Sequence, residues 1–240
     1  MEWREELRRK ERARPAEQQE ESSTGSGGYP HGGNSSDRRR RLFSPLSSEA
    51  SASQPEPSST PTTAKDSVEH QQCKEWLFKA LTNDMHVNHM LAALSDKGCP
   101  VDPFKFFTCK PCNNSLGYWS RSEGIVLCEN NFVSWTQLNV TLVHELIHAY
   151  DDCRAKLNWK NCVHHACSEI RAASLSGDCH WYQEFARGNF TIGGQHRRCI
   201  RRRAILSLEL GEDCKNEARS AVKEAWPLCS KDTAPFGFVP

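Results

Sequence analysis

This chain of 240 residues is rich in cysteine, and the cysteines are confined to one part of it. It has 12 cysteines, and none of them lies before Cys73. An even number at this density favours disulfide bonds and an oxidising compartment, because reduced cytosolic enzymes rarely carry so much cysteine. The alternative is a set of reduced thiols that pack as small apolar side chains. We therefore expect a disulfide-stapled domain in the part of the chain that carries the cysteines.

Residues 1–68 differ in composition from the rest of the chain. They are rich in Ser, Pro, Gly, Glu and Arg and contain few large apolar residues. Such a segment buries too little surface to offset its ordering entropy. We predict a disordered low-complexity tail at 1–68 and one folded domain at 69–240. The run Arg38–Arg41 fits a solvated charge cluster better than a nucleic-acid patch.

The net charge, the hydropathy and the N-terminal sequence exclude some functions, but they do not identify the cellular compartment. A formal net charge of +1 gives no case for a nucleic-acid or membrane-surface protein. No apolar run approaches the roughly 18 residues of a membrane span. The N-terminal sequence lacks the apolar core of a secretory signal, and its glutamates are untypical of a mitochondrial transit peptide. An oxidising compartment is thus indicated without an ordinary targeting signal.

Hydrophobic periodicity predicts a mostly helical α+β domain. Apolar residues recur at helical spacing in several segments, namely a pair of helices broken near Asn83-Asp84, then about 134–155, 162–175, 196–210 and 214–226. Residues 115–120 and 124–129 flank a turn signal and predict a β-hairpin. The run 104–108 is also β-rich, and the chain after Pro227 is expected to be extended.

The spacing Cys109-x2-Cys112 allows a second interpretation of these cysteines. A structural zinc site would need two more ligands, which Cys128 and Cys153 can supply. A single C-x-x-C pair is weak support for zinc, and disulfide pairing is favoured at this cysteine density.

The predicted helix 134–155 contains the sequence His144-Glu145-Leu-Ile-His148. Side chains four residues apart lie on one helix face, so the two imidazoles can bind one zinc ion. Glu145 can then act as general base on a zinc-bound water. The alternative is a histidine pair without metal on an amphipathic helix. A β-rich run before the helix favours the peptidase, since an edge strand can hold a substrate backbone.

The third zinc ligand is expected from another element. Asp151 and Asp152 follow His148 closely, but each helical turn rises about 5.4 Å, so three ligands on successive turns cannot share one ion. We expect both aspartates to orient a histidine ring.

The helix 162–175 offers Glu169 as the favoured third ligand. It lies among small and apolar residues, where a carboxylate is costly unless it is paired or bound to metal. His165, four residues earlier on the same face, is the second candidate. A salt bridge from Glu169 to Arg171 or Arg154 is the interpretation without metal. Candidate oxyanion donors are Tyr150, His180 and Tyr182.

Four segments make the sequence similar to a known family. HELIHAYDDCR, ACSEIRAASLSGDC, CKNEARSAVKEAWPLC and PFGFVP resemble the mitochondrial inner-membrane metalloproteases that act on ATP synthase. The resemblance extends from about Cys73 to the end of the chain. It implies an α+β, mostly helical, zincin-like metallopeptidase domain with a small β-hairpin or sheet. It also implies one catalytic Zn²⁺, with His144 and His148 as ligands and Glu145 as base.

The resemblance implies a location and partners as well. Members are zinc endopeptidases of the mitochondrial intermembrane space, bound peripherally to the inner membrane and oxidised by the local disulfide relay. They process a precursor of ATP synthase subunit a and assist assembly of the membrane sector. Vertebrate members are described as binding the Ku antigen.

Two other functions stay open at this point. One is an assembly chaperone with dispensable proteolysis. The other is a nuclear, DNA-repair-associated metallopeptidase, suggested by a basic helix face of Arg197, Arg198, Arg201, Arg202 and Arg203. We expect no direct nucleic-acid binding, because a solvated basic face is the commoner case.

Overall fold

The computed structural model describes residues 67–155, 157–191 and 193–240. The tail predicted at 1–68 therefore lies outside the described residues except for its last two positions. There the Ser67 hydroxyl accepts a hydrogen bond from the His70 N–H and caps the first helix.

Two helices open the described part of the chain, α1 (Val68–Asn83) and α2 (Met85–Asp96). Asp84 is extended between them, and its carboxylate accepts from the N–H groups of His86 and Val87 at 2.9 and 3.0 Å. An aspartate that caps a new helix ends the preceding one, which confirms the predicted break.

A three-stranded sheet follows a short helix, α3 (Pro103–Phe106). Its strands are β1 (Phe107–Lys110), β2 (Gly117–Ser120) and β3 (Gly124–Cys128), in the order β1-β3-β2. The β2–β3 hairpin is confirmed, and β1 pairs parallel to β3. The predicted strand at 104–108 is wrong over its first residues, because Asp102 caps a helical turn that begins with proline. β2 is an edge strand of this sheet.

The helices α4 (Trp135–Ala155) and α5 (Cys162–Leu175) lie behind the sheet with the bounds that the sequence predicts to within a residue. The leucine stripe of α4 is fully buried in one core with β3. Three alanines of α5, Ala166, Ala172 and Ala173, are also fully buried. Small side chains at the contact let the axes of packed helices approach closely.

The remaining helices are α6 (Trp181–Ala186), α7 (Gln195–Leu210) and α8 (Ala218–Cys229). The sequence did not predict α6. The extended segment predicted from Pro227 is wrong, because α8 continues to Cys229 and the chain then turns. The buried guanidinium of Arg171 donates to the carbonyls of Asp232 and Ala234 and so fastens this C-terminal turn to α5. No helix in the described ranges is both long and apolar enough to cross a membrane.

All 12 cysteines form disulfide bonds, as their density predicts. The pairs are Cys73–Cys109, Cys99–Cys153, Cys112–Cys128, Cys162–Cys214, Cys167–Cys229 and Cys179–Cys199. Cys109 and Cys112 belong to different bonds, so the second zinc site is wrong. Two of the bonds anchor α5 to the chain around α8, and each typically contributes about 2–4 kcal/mol of stability. They hold the helix that carries Glu169.

The arginines of α7 do not form the single basic face that the sequence predicts. Arg202 and Arg203 form ion pairs with the buried carboxylates of Glu184 and Asp178. Arg201 lies over an indole ring of α8. The guanidiniums are therefore divided between protein partners on two sides of the helix.

Candidate active site

Three predicted residues meet between α4 and α5. His144 and His148 project from one face of α4, and Glu169 projects from the middle of α5. His144 Nε2 lies 3.5 Å from Glu169 Oε2, and His148 Nε2 lies 3.5 Å from Glu169 Oε1. One ligand atom from each residue lies within 4.8 Å of the other two, a group that can hold one metal ion.

The surroundings of Glu169 separate the predicted alternatives. Arg154 and Arg171 both form ion pairs with Asp151, so the salt bridge proposed for Glu169 is wrong. His165 Nε2 lies 3.4 Å from Glu169 Oε1, but His165 is outside the group of three. Glu169 Oε2 is buried, and apart from the 3.5 Å contact with His144 Nε2 it makes no hydrogen bond among the described residues. A buried carboxylate oxygen without a hydrogen bond is costly, and a bound cation relieves that cost.

The electrostatics of the group follow from burial and mutual charge. Burial lowers the pKa of His148 to about 4. Burial also lowers the pKa of His144, but the Glu169 contact and the charge of Glu145 outweigh it and raise that pKa to about 9. Glu169 is held well below its usual pKa despite burial, chiefly by the charge of His148 and the contact with His144. Without metal, the group therefore holds its proton on His144.

Glu145 lies beside this group and is 7% exposed. Burial raises the pKa of Glu145 to about 7, and the charge of His144 opposes that rise. A carboxyl group with a pKa near neutrality can both accept and return a proton, which is what a general base that later acts as an acid must do.

A series of buried hydrogen bonds connects Nδ1 of His148 to Asp151 through Ser168. The hydroxyl of Ser168 donates to Asp151 Oδ2 at 3.1 Å and lies 2.8 Å from His148 Nδ1. Because the Ser168 proton is engaged with Asp151, Ser168 accepts from the Nδ1–H of His148. This leaves the lone pair of Nε2 facing Glu169. Asp151 thus reaches the histidine through Ser168, a residue that the sequence analysis did not single out.

Asp152 has a different role from the one expected. Its carboxylate accepts from Arg121 at 2.7 and 2.6 Å and from the indole Nε1 of Trp159 at 3.1 Å. These hydrogen bonds position Arg121 and Trp159 rather than a histidine ring.

A cavity of about 520 Å³ opens onto the group. It is lined by β2 with Arg121, by α4 and α5, by the chain between these two helices, and by one residue of α7. The lining residues are Gly117, Tyr118, Trp119, Ser120, Arg121, His144, Glu145, His148, Trp159, His165, Glu169 and Ser207. The candidate oxyanion donors Tyr150, His180 and Tyr182 are not among these residues.

The close approach of β2 to α4 requires glycine at one point. A Cβ atom at Gly117 would lie 2.8 Å from the Val126 carbonyl oxygen and 3.0 Å from Thr141 Cγ2. The missing side chain therefore lets the edge strand run along the rim of the cavity.

A helix with H-E-x-x-H, a carboxylate from the next helix and an edge strand along the cavity define a metallopeptidase active site. The family model described as Peptidase M76 family matches residues 71–237. The chain belongs to this family. It is therefore a metallopeptidase that acts on peptide or protein substrates, and the family implies a metal cofactor.

Proteins named mitochondrial inner membrane protease ATP23, or its homolog, are similar over most of their length. The human homolog is 40% identical over 175 residues, which are 71% of each chain. The homolog of Xenopus laevis is 40% identical over 70% of this chain and 74% of its own. The protein of Kluyveromyces lactis is 37% identical over 68% of this chain and 70% of its own. No solved structure matches the chain significantly.

Proposed function

We propose that this chain is a zinc-dependent endopeptidase in which His144, His148 and Glu169 bind one Zn²⁺ and Glu145 is the general base. The observation that carries the proposal is the convergence of the three ligand atoms within 4.8 Å, with Glu145 beside them. Two imidazole nitrogens and one carboxylate are a common ligand set of catalytic zinc. The buried oxygen Oε2 of Glu169, which makes no hydrogen bond among the described residues, fits a cation at this point.

The chain's own residues supply the rest of the chemistry. When bound, zinc supplies a Lewis acid that polarises the peptide carbonyl and activates water near neutral pH. β2 is an edge strand of the sheet, and its outer edge can pair with an extended peptide, because an edge strand can accept a further strand. Glu145 accepts the proton of the attacking water and returns it to the leaving amine.

We further propose that the enzyme works in the mitochondrial intermembrane space, peripherally on the inner membrane. The relatives are named as mitochondrial inner membrane proteases, and six disulfide bonds suit an oxidising compartment. The proposed substrate is a precursor of ATP synthase subunit a, with help to assembly of the membrane sector as a second role. This substrate, and binding of the Ku antigen, rest on the family resemblance alone.

Glu145→Gln tests the catalytic proposal in the zinc-loaded full chain. We expect normal zinc content and loss of peptide cleavage by at least about 100-fold, the usual size of a general-base contribution. Glu212→Gln makes the same change at an exposed position and should cleave normally. Cleavage by Glu145→Gln at the wild-type rate would show that the proposal is wrong. In cells, restoration of ATP synthase assembly by the Glu145→Gln variant would show that the role in assembly does not require proteolysis.

A further inference from the structure

Two neighbouring indole rings form part of the wall of the active-site cavity. Trp119 lies on the edge strand β2, and Trp159 lies on the connection between α4 and α5. Their ring centroids are 5.7 Å apart, and both residues line the cavity while remaining only half-buried. The Trp159 ring also lies edge-on to His148 at 5.8 Å and to His165 at 5.3 Å. An aromatic wall therefore stands directly beside the proposed metal ligands.

Hydrogen bonds fix this wall in place. Trp159 Nε1 donates to Asp152, and Arg121 donates to the same carboxylate and to the Leu157 carbonyl oxygen at 2.8 Å. Asp152 is 8% exposed, so its carboxylate is partly desolvated and gains from these donors, although the Arg121 side chain itself is 60% exposed. One network thus sets the indole of Trp159, the chain just before it and the end of β2. A site whose walls are already ordered loses little entropy when a ligand enters.

The residues that line this part of the cavity favour an apolar side chain of the substrate. The wall here consists of two adjacent indole rings, and the nearby guanidinium of Arg121 is already paired with Asp152. A charged substrate side chain entering here would lose hydration against the two rings, and the guanidinium that could pair with a carboxylate is already bound to Asp152. A large apolar or aromatic side chain would bury its surface against two rings in a favourable stacked or edge-on arrangement.

We propose that Trp119 and Trp159 form a specificity subsite for a large apolar or aromatic side chain of the substrate, next to the bond that is cut. The inference rests on the proposed peptidase function and names the substrate class of that site. Asp152 is then a positioning residue, which acts on the subsite through Trp159 and Arg121.

The subsite is tested with the zinc-loaded full chain and an alanine-rich peptide carrying Phe, Leu, Ala or Asp at each position in turn. At one position beside the cut bond, wild type should prefer Phe or Leu over Ala by about tenfold or more in kcat/KM, the usual size of a pocket preference. Trp159→Ala should reduce that ratio to near one and leave preferences at the other positions unchanged. Trp159→Phe should keep most of the ratio, which also covers the case in which the alanine variant fails to fold.

Trp181→Ala is the control, since it removes an indole that is 66% exposed and does not line the cavity. Binding of the same peptides to the zinc-loaded Glu145→Gln variant, measured by calorimetry, separates the two proposals. Tighter binding of the Phe peptide that disappears with Trp159→Ala supports the subsite even if no cleavage is found. A wild type without preference, or an equal preference in Trp159→Ala, would overturn the inference.

Discussion

Ser168→Ala should weaken zinc binding although Ser168 is not a proposed ligand. Its hydroxyl bridges His148 Nδ1 at 2.8 Å and Asp151 Oδ2 at 3.1 Å, and the residue is 1% exposed. Alanine would leave the buried Nδ1–H of His148 without its acceptor, whereas Asp151 Oδ2 would keep the hydrogen bond from Arg171 Nε at 3.0 Å. The His148 ring would lose the acceptor that fixes its tautomer and orientation.

The size of the effect follows from these contacts. Loss of a hydrogen-bonded partner behind a metal-binding histidine commonly lowers metal affinity about 10–100-fold. At about 1.4 kcal/mol per factor of ten, this is about 1.4–2.8 kcal/mol, within the usual range for a buried polar group left unpaired. Competition with a chromophoric chelator at fixed pH measures the zinc affinity directly.

Ser174→Ala is the matched control for this measurement. It makes the same change at another buried position of α5, and Ser174 is not in the metal-binding group. We expect its zinc affinity to equal that of wild type. Equal affinities for Ser168→Ala and Ser174→Ala would refute the argument that the Ser168 bridge prepares His148 for metal.

Three further predictions concern the metal group and the disulfides around it. Glu169→Gln keeps the shape of the side chain but removes its charge, so zinc affinity should fall by more than in Ser168→Ala, and an unchanged value in the same competition assay would exclude Glu169 as a ligand. Because the pKa of His144 is raised to about 9 in the metal-free site, its proton must leave when zinc binds, and apparent affinity should fall by up to about tenfold per pH unit below that value. Calorimetry in buffers of different ionisation enthalpy should find about one proton released near pH 8, and no release would contradict the assignment. Replacing Cys167 and Cys229 together by serine should lower the free energy of unfolding by about 2–4 kcal/mol in denaturant titrations, whereas a strictly local effect on α5 would leave global stability unchanged.

The sequence predicts the site helices well because local signals and packing agree there. The apolar stripe of α4 runs without glycine or proline, and α5 ends before Gly177, which has a φ of 84°. The break between α1 and α2 is predictable because the carboxylate of Asp84 caps the start of α2. The sequence predicts Glu169 as a ligand because a carboxylate among small and apolar residues is costly to bury unless it is paired or bound to metal, whatever the fold.

The roles of residues that depend on tertiary contacts could not be predicted from the sequence. Ser168 matters only because α5 places it between a histidine and an aspartate of α4. Trp159 follows the helix without any periodic pattern, and its place at the cavity depends on tertiary contacts, namely the hydrogen bond from its indole to Asp152 and its ring contacts with His148 and His165. For Asp152 the sequence indicates proximity to the metal site, but its partner Arg121 is distant in the chain.

The connectivity of the disulfide bonds could not be predicted from the sequence either. Twelve cysteines predict an oxidised framework, but their connectivity depends on which elements pack together. Cys109 and Cys112 are near neighbours in sequence, yet one bonds to α1 and the other to β3. Short helices such as α6 are also poorly specified, because six residues carry too little periodic signal and are stabilised by ion pairs to other elements.

A crystal structure of the zinc-loaded full chain, with anomalous diffraction recorded at the zinc edge, would locate the metal ion and its ligands. We expect one zinc ion at about 2.0–2.2 Å from Nε2 of His144, Nε2 of His148 and one oxygen of Glu169, with Glu145 close by but not coordinated. A zinc ion held by His165 in place of Glu169, or no anomalous peak between α4 and α5, would contradict this expectation.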